Sequence, residues 1–284
     1  MPDVAYVNGW VGELRDASVP ILDRGFLFGD GVYEVLRTYR GRPFELQAHL
    51  RRLEQSLEGL RLKAPMRRRR LERLVRDLVK QSGYANARVY IQVTRGVARR
   101  QHVFPARSRP SLVMWVERAP TGQARLLRQG LTAMTLPDQR WKRCHLKALV
   151  LLPNVLARQE ARAGGAAEAI LLAPGGVVRE GAASNVFVVH GNLLRTHPLG
   201  PEILPGVSRQ VVLELARAEG LHVREQAFRR HTMMQADEVL LSSTALEIAP
   251  VVRIDGQAVG HGRPGPVTLA LHARFRARTR QVDS

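Results

Sequence analysis

The 284-residue chain carries one cysteine, Cys144, which excludes an intrachain disulfide and suits a reducing compartment such as the cytoplasm. No apolar run approaches the length that spans a bilayer, so no membrane role is expected. The opening MPDVAYVNGW lacks the basic-then-apolar pattern of a secretory signal. Low-complexity tracts and internal repeats are absent. Cys144 and His145 are adjacent and lack metal-ligand spacing, so no metal is expected. Acidic residues are scarce, 25 against 44 basic ones, giving a net charge of +19. Such an excess can signal nucleic acid. Here the arginines are spread along the whole chain and aromatics are only 5% of it. The one dense cluster, Arg67–Arg70, opens a stretch with Leu71, Leu74, Val75, Leu78 and Val79 at helical spacing, which reads as a solvated helix start. Nucleic-acid binding then rests on charge alone, and none is expected. Lysine is the rarest basic residue: Lys63, Lys80, Lys142 and Lys147 are the only four.

What is present reads as mixed α/β. Val4–Val7 alternates and Asn8-Gly9 signals a hairpin turn. Strands are expected over 33–39, 43–46, 88–94 and 111–116, and helices over 48–60 and 66–82. A Pro/Gly break at 119–123 follows the last of these strands. It suggests a small N-terminal α/β domain over 1–119, a linker over 120–129 and a larger C-terminal domain over 130–284. In the second part strands are expected near 131–136, 168–173, 185–190 and 239–243, with a helix over 153–164 and another opening at Pro205-Gly206-Val207-Ser208. Two domains offer a cleft, a usual place for a small-molecule site.

Lys147 lies in the run KALVLL. Its ammonium either snorkels to water or serves chemistry that arginine cannot perform, because a lysine amine can lose its proton and form a Schiff base. Glu180, in Val177–Gly181, reads either as a strand-end carboxylate paired with Arg179 or as a functional acid. Gly206-Val207-Ser208 reads as helix capping or as an anion site. Arg52, Arg100 and His102 read singly as solvated groups. Together they supply the parts of a pyridoxal-phosphate site. Lys147 would hold the aldehyde, Glu180 would face the ring nitrogen, Ser208 with Arg52 would grip the phosphate, and Arg100 with His102 would trap a carboxylate.

Seven stretches carry a resemblance, in order: DRGFLFGDGVYEVLRTYRG (23–41), HLRRL (49–53), QVTRGVARRQHVFP (92–105), KALVLLPNVLARQEA (147–161), VREGAASNVF (178–187), EILPGVSR (202–209) and ADEVLLSSTALEIAPV (236–251). The chain resembles the fold-type IV (class IV) pyridoxal-phosphate aminotransferases, and among them the D-amino acid (D-alanine) aminotransferases. The resemblance implies a two-domain fold whose larger domain is barrel-like. It implies pyridoxal 5'-phosphate as cofactor, a D-amino acid and a 2-oxo acid (pyruvate or 2-oxoglutarate) as substrates, and a homodimer. It further implies Lys147 as the Schiff-base lysine and proton carrier, Glu180 as partner of the pyridine nitrogen, and Arg52, Val207, Ser208 and Thr244 as the phosphate cup. Leu204 would support the ring, and Tyr33, Arg100 and His102 would form the carboxylate trap, the last two reaching in from a second subunit. Two departures stand out. Ala183 occupies a position usually richer in serine, and His145 stands where a carboxylate is more familiar. Aminodeoxychorismate lyase and L-branched-chain aminotransferase share the scaffold. The Arg100-Gln101-His102 element favours a transaminase over the lyase, and Gly29–Glu34 favours the D-specific branch.

Overall fold

A computed structural model describes residues 3–281. The chain divides into two compact units. One comprises the described residues up to Pro120 with Leu146–Val150 and Gln281, and the other comprises Thr121–His145 with Leu151–Arg280.

The first unit contains β1 (Val4–Val7), β2 (Trp10–Glu13), α1 (Arg24–Phe28), β3 (Gly31–Tyr39), β4 (Arg42–Pro43), α2 (Leu46–Gly59), α3 (Arg68–Ser82), β5 (Ala87–Thr94) and β6 (Ser111–Arg118). Its strands form one antiparallel sheet in the order β2-β1-β6-β5-β3-β4. Alternation along β3 and β5 sends Val32, Leu36, Val89, Ile91 and Val93 into the core. The stripes Leu46/Leu50/Leu53/Leu57 of α2 and Leu71/Val75/Leu78 of α3 cover that face. Gly83, in the left-handed region at φ 67°, stops α3. The expected strand over 43–46 is shorter: β4 ends at Pro43, and Leu46 already opens α2. The arginine cluster at 67–70 is exposed, as a solvated helix start should be.

The second unit contains α4 (Gln123–Gln129), β7 (Leu131–Pro137), α5 (Leu152–Ala163), β8 (Glu168–Ala173), β9 (Val177–Gly181), β10 (Asn185–His190), β11 (Leu193–Thr196), α6 (Val207–Ala218), β12 (His222–Glu225), α7 (Arg230–Met234), β13 (Glu238–Ser243), β14 (Glu247–Ile254), β15 (Gln257–Ala258) and α8 (Pro266–Arg280). The stretch expected as a linker is thus helical over α4. A mixed sheet runs β12-β11-β10-β13-β14-β7-β8-β9, with β15 on β14. The tight connection at 182–184 brings β9 against β10, so the sheet curls back on its own middle, the expected barrel-like form. Val186, Val188, Val239, Leu241, Ala249 and Val251 fill its interior.

Candidate active site

The site residues fall into three groups, two in the first unit and one in the second. In the first unit, Leu146–Val150 lies along the start of β3. The Tyr33 N–H donates to the Lys147 carbonyl (2.9 Å) and the Leu149 N–H to the Gly31 carbonyl (3.0 Å). The Lys147 N–H donates to Ser56 Oγ of α2 (3.1 Å). Gly31 permits this approach, because a Cβ there would lie 2.6 Å from the Val93 carbonyl oxygen and 2.8 Å from a Leu149 methyl. With its backbone clamped at both polar groups, Lys147 rests Nζ 4.3 Å from the centroid of the Tyr33 ring. Tyr33 in turn stacks on Tyr90, and Tyr90 on Trp115. Lys147 is half-buried, with its backbone held and its amine against an aromatic face.

The same helix face that offers Ser56 carries Arg52 and His49, one turn and two turns earlier. Both meet Glu34, which is completely buried on β3. Arg52 donates from Nε (2.7 Å) and Nη2 (2.8 Å) to the two Glu34 oxygens, and His49 Nδ1 lies 2.7 Å from Glu34 Oε2. Burial alone would raise the Glu34 carboxyl. The Arg52 guanidinium and the hydrogen bonds from Arg52 and His49 prevail and hold it at about 2. Burial pushes His49 the other way, below the usual imidazole range.

In the second unit, alternation along β9 turns Val178 and Glu180 inward and Arg179 outward. Arg179 accordingly meets His197 Nε2 (2.9 Å) and Glu202 (3.7 Å), not Glu180. Glu180 is instead engaged by Arg140, by Asn185 Nδ2 (2.9 Å) and by the Leu204 N–H (3.1 Å to each oxygen). Arg140 divides its donors, because Nε and Nη2 both go to Asp138 (2.9 and 2.8 Å). Burial raises the Glu180 carboxyl to about 7 against the pull of Arg140. Asn185 also donates to the Leu204 carbonyl (3.0 Å), tying 202–206 to β10. At Gly206 a Cβ would sit 2.1 Å from Asn185 Oδ1, so only glycine lets the start of α6 approach this closely. Gly206 supplies no side-chain cap to α6, which leaves the Val207 and Ser208 end of the helix suited to an anion. Thr244 sits in the turn between β13 and β14.

The structure therefore brings Tyr33 to Lys147, and Leu204 to Glu180. Arg100 and His102 form a third group, exposed and gathered on Phe28. The Arg100 guanidinium lies 5.4 Å from that ring's centroid, and the His102 ring 5.6 Å from it. Four participants escaped the sequence reading: Glu34, His49, Arg140 and Asn185. The helical period of HLRRL places His49 and Arg52 on one face, a signal that could have found His49. Nothing local to Arg140 marks it. Among the described residues no group of three His, Cys, Asp or Glu is placed to hold a metal, and no helix is long and apolar enough to cross a membrane.

In chemical type, the amine of the first unit suits an aldehyde, and in the second unit the buried carboxylate suits a ring nitrogen and the start of α6 a phosphate, the handles of pyridoxal phosphate. The comparisons with known proteins agree. The model of the class IV amino-transferases matches residues 31–254, and the chain belongs to that pyridoxal-phosphate family. The chain is 41% identical over 272 residues to a D-alanine aminotransferase of Listeria monocytogenes, covering 95% of this chain and 93% of the relative. It is 38% identical over 270 residues to the D-alanine aminotransferase of Staphylococcus haemolyticus, covering 95% of each. Among solved structures, the Escherichia coli branched-chain amino acid aminotransferase superposes with a TM-score of 0.90 at 30% identity, covering 98% of this chain and 94% of that one. A second branched-chain amino acid aminotransferase, solved with pyridoxamine 5'-phosphate, gives a TM-score of 0.90 at 26% identity, covering 99% and 95%.

Proposed function

We propose that the protein transfers an amino group between a D-amino acid of the alanine type and a 2-oxo acid such as pyruvate or 2-oxoglutarate. The observation that carries the reading is Lys147, half-buried and clamped through its backbone, with its amine held over the Tyr33 ring. The D-specific branch is favoured by the 38–41% identity to enzymes named for D-alanine, against 26–30% to the branched-chain structures.

In this reading pyridoxal phosphate, when bound, supplies an electron sink for charge developing at the substrate α-carbon. Lys147 Nζ would hold the cofactor aldehyde at rest and, once displaced by the incoming substrate amine, would be free to take the proton from the substrate Cα and return it on the way to product. Glu180 would accept the ring N–H and keep that nitrogen charged. Leu204 holds Glu180 in place through its amide. Arg52, the Val207–Ser208 amides and the Ser208 and Thr244 hydroxyls hold the phosphate. Tyr33 contributes to the substrate carboxylate site, with Arg100 and His102 supplied by a second copy of the chain. Their exposure, beside the exposed apolar side chains Phe26, Val103 and Phe104, supports a homodimer. The single buried thiol suits a cytoplasmic setting.

The test is the visible spectrum of the purified protein with D-alanine and, in parallel, L-alanine. A yellow band that bleaches with the D-isomer alone is the expected result. Bleaching by L-leucine instead would move the function to the branched-chain branch. Release of pyruvate from aminodeoxychorismate would move it to the lyase. A protein that stays colourless with added pyridoxal phosphate would defeat the reading.

A further inference from the structure

Glu247 breaks a backbone rule. It opens β14 directly after the three-residue turn 244–246, and its φ of 59° lies in the left-handed region. A three-residue hairpin loop commonly ends in such a residue, and glycine is the ordinary occupant because an L side chain is disfavoured there. This chain instead places a glutamate there and buries it to 1% exposure. The carboxylate is gripped from α8: Arg276 Nη1 donates to Oε1 (3.0 Å), and His272 Nε2 lies 3.2 Å from Oε2. Across the hairpin, Glu247 pairs with Ser243, whose Oγ accepts the Leu246 N–H at 3.1 Å. The turn is thus stitched from inside by Ser243 and tethered from behind by α8 through Glu247.

We propose that Glu247 is a positioning residue: anchored by His272 and Arg276, it fixes the 244–246 turn so that Thr244 meets the phosphate of the cofactor. The inference rests on the reading of Thr244 as a phosphate contact. It explains why a strained backbone position keeps a charged side chain. Glycine would relieve the backbone yet cut the tether to α8, and the turn would lose its fixed place.

The test measures the dissociation constant of pyridoxal phosphate for the full chain, together with the phosphorus NMR shift of the bound phosphate and the melting temperature of the cofactor-free protein. Glu247→Gly and Glu247→Gln are each expected to weaken cofactor binding by about tenfold or more, the scale seen when a group that orients a ligand's own contacts is removed. The phosphorus shift should move in both. His272→Gln, a milder change that leaves the Arg276 contact, should weaken binding less and serves if Glu247→Gly fails to fold. A lowered melting temperature with unchanged affinity and phosphorus shift would make Glu247 merely structural and overturn the inference. Thr244→Val separates the two levels. If it leaves affinity unchanged, the phosphate reading of the turn fails and the inference falls with it. If it weakens binding while the Glu247 variants do not, only the inference fails.

Discussion

Two buried glutamates, each engaged by an arginine, end in opposite states. Glu34 is held at about 2 and Glu180 is raised to about 7. Both are deeply buried, so desolvation raises both. The difference lies in the arginines. Arg52 gives Glu34 a two-pronged grip, and His49 adds a third contact. Arg140 spends Nε and Nη2 on Asp138 and reaches Glu180 with Nη1. Asp138 also adds its own negative charge nearby. One pair holds its carboxylate ionised and orients Arg52. The other leaves a carboxylate with enough proton affinity to answer a cationic partner, which a protonated ring nitrogen would be. Pairing with arginine does not by itself settle a carboxylate's role; how the arginine divides its donors does.

The largest effect expected belongs to neither glutamate and sets the scale for both. Lys147→Ala should lower transamination by at least about 10⁴-fold, the upper range for a lost general base. Its fold should survive, because the 146–150 segment is held by backbone contacts. Stopped-flow half-reactions with D-alanine check this, and turnover within tenfold of the parent would remove Lys147 from the mechanism. Glu180→Gln should come next, lowering kcat/KM by about 10²–10³-fold through loss of charge stabilisation at the ring nitrogen. Its folding stability should change little near neutral pH. Glu34→Gln should do the reverse. It strands Arg52 as a buried charge, so a stability loss of about 3–5 kcal/mol is expected in denaturant titrations. The two glutamates also predict opposite pH slopes for the cofactor-free protein. Glu34 is depressed on folding, so its contribution is present above about pH 4.5 and lost as pH falls toward 2. Glu180 is raised, so its contribution is full below about 4.5 and lost as pH rises through 7. If the two variants alter the pH dependence of stability in the same direction, the comparison breaks.

Most of the first unit was legible because its signals are local. The Asn8-Gly9 turn, the leucine stripe of α2 and Gly83 as a helix stop each act over a few residues. Lys147, Glu180 and Ser208 could be named from the sequence because each stands in a motif of the resemblance, and their roles remain the proposal above. Three things were not legible. The return of 146–150 to the first unit depends on pairing with Gly31 and Tyr33, more than a hundred residues away, and no local periodicity encodes it. Glu34 and Glu180 carry the same side chain, and the number of donors reaching each is a property of the fold. The Arg179–Glu180 pairing suggested by adjacency fails because strand period two sends neighbours to opposite faces.

The smallest effect is the sharpest test of how Arg140 shares itself. Asp138→Asn removes a negative charge near Glu180 and the carboxylate that competes for the arginine. Both changes act in one direction, toward easier ionisation of Glu180. Its midpoint should therefore move down from about 7, toward the state Glu34 occupies, and infrared titration of the carboxyl band in the cofactor-free protein would read this. Cofactor affinity should change by less than about tenfold, since a shift of one pKa unit corresponds to about 1.4 kcal/mol. The pH profile of kcat/KM should shift its acidic limb downward in parallel. If the Glu180 midpoint stays near 7 in Asp138→Asn, burial alone sets it, and the division of Arg140 between two carboxylates does not explain the contrast with Glu34.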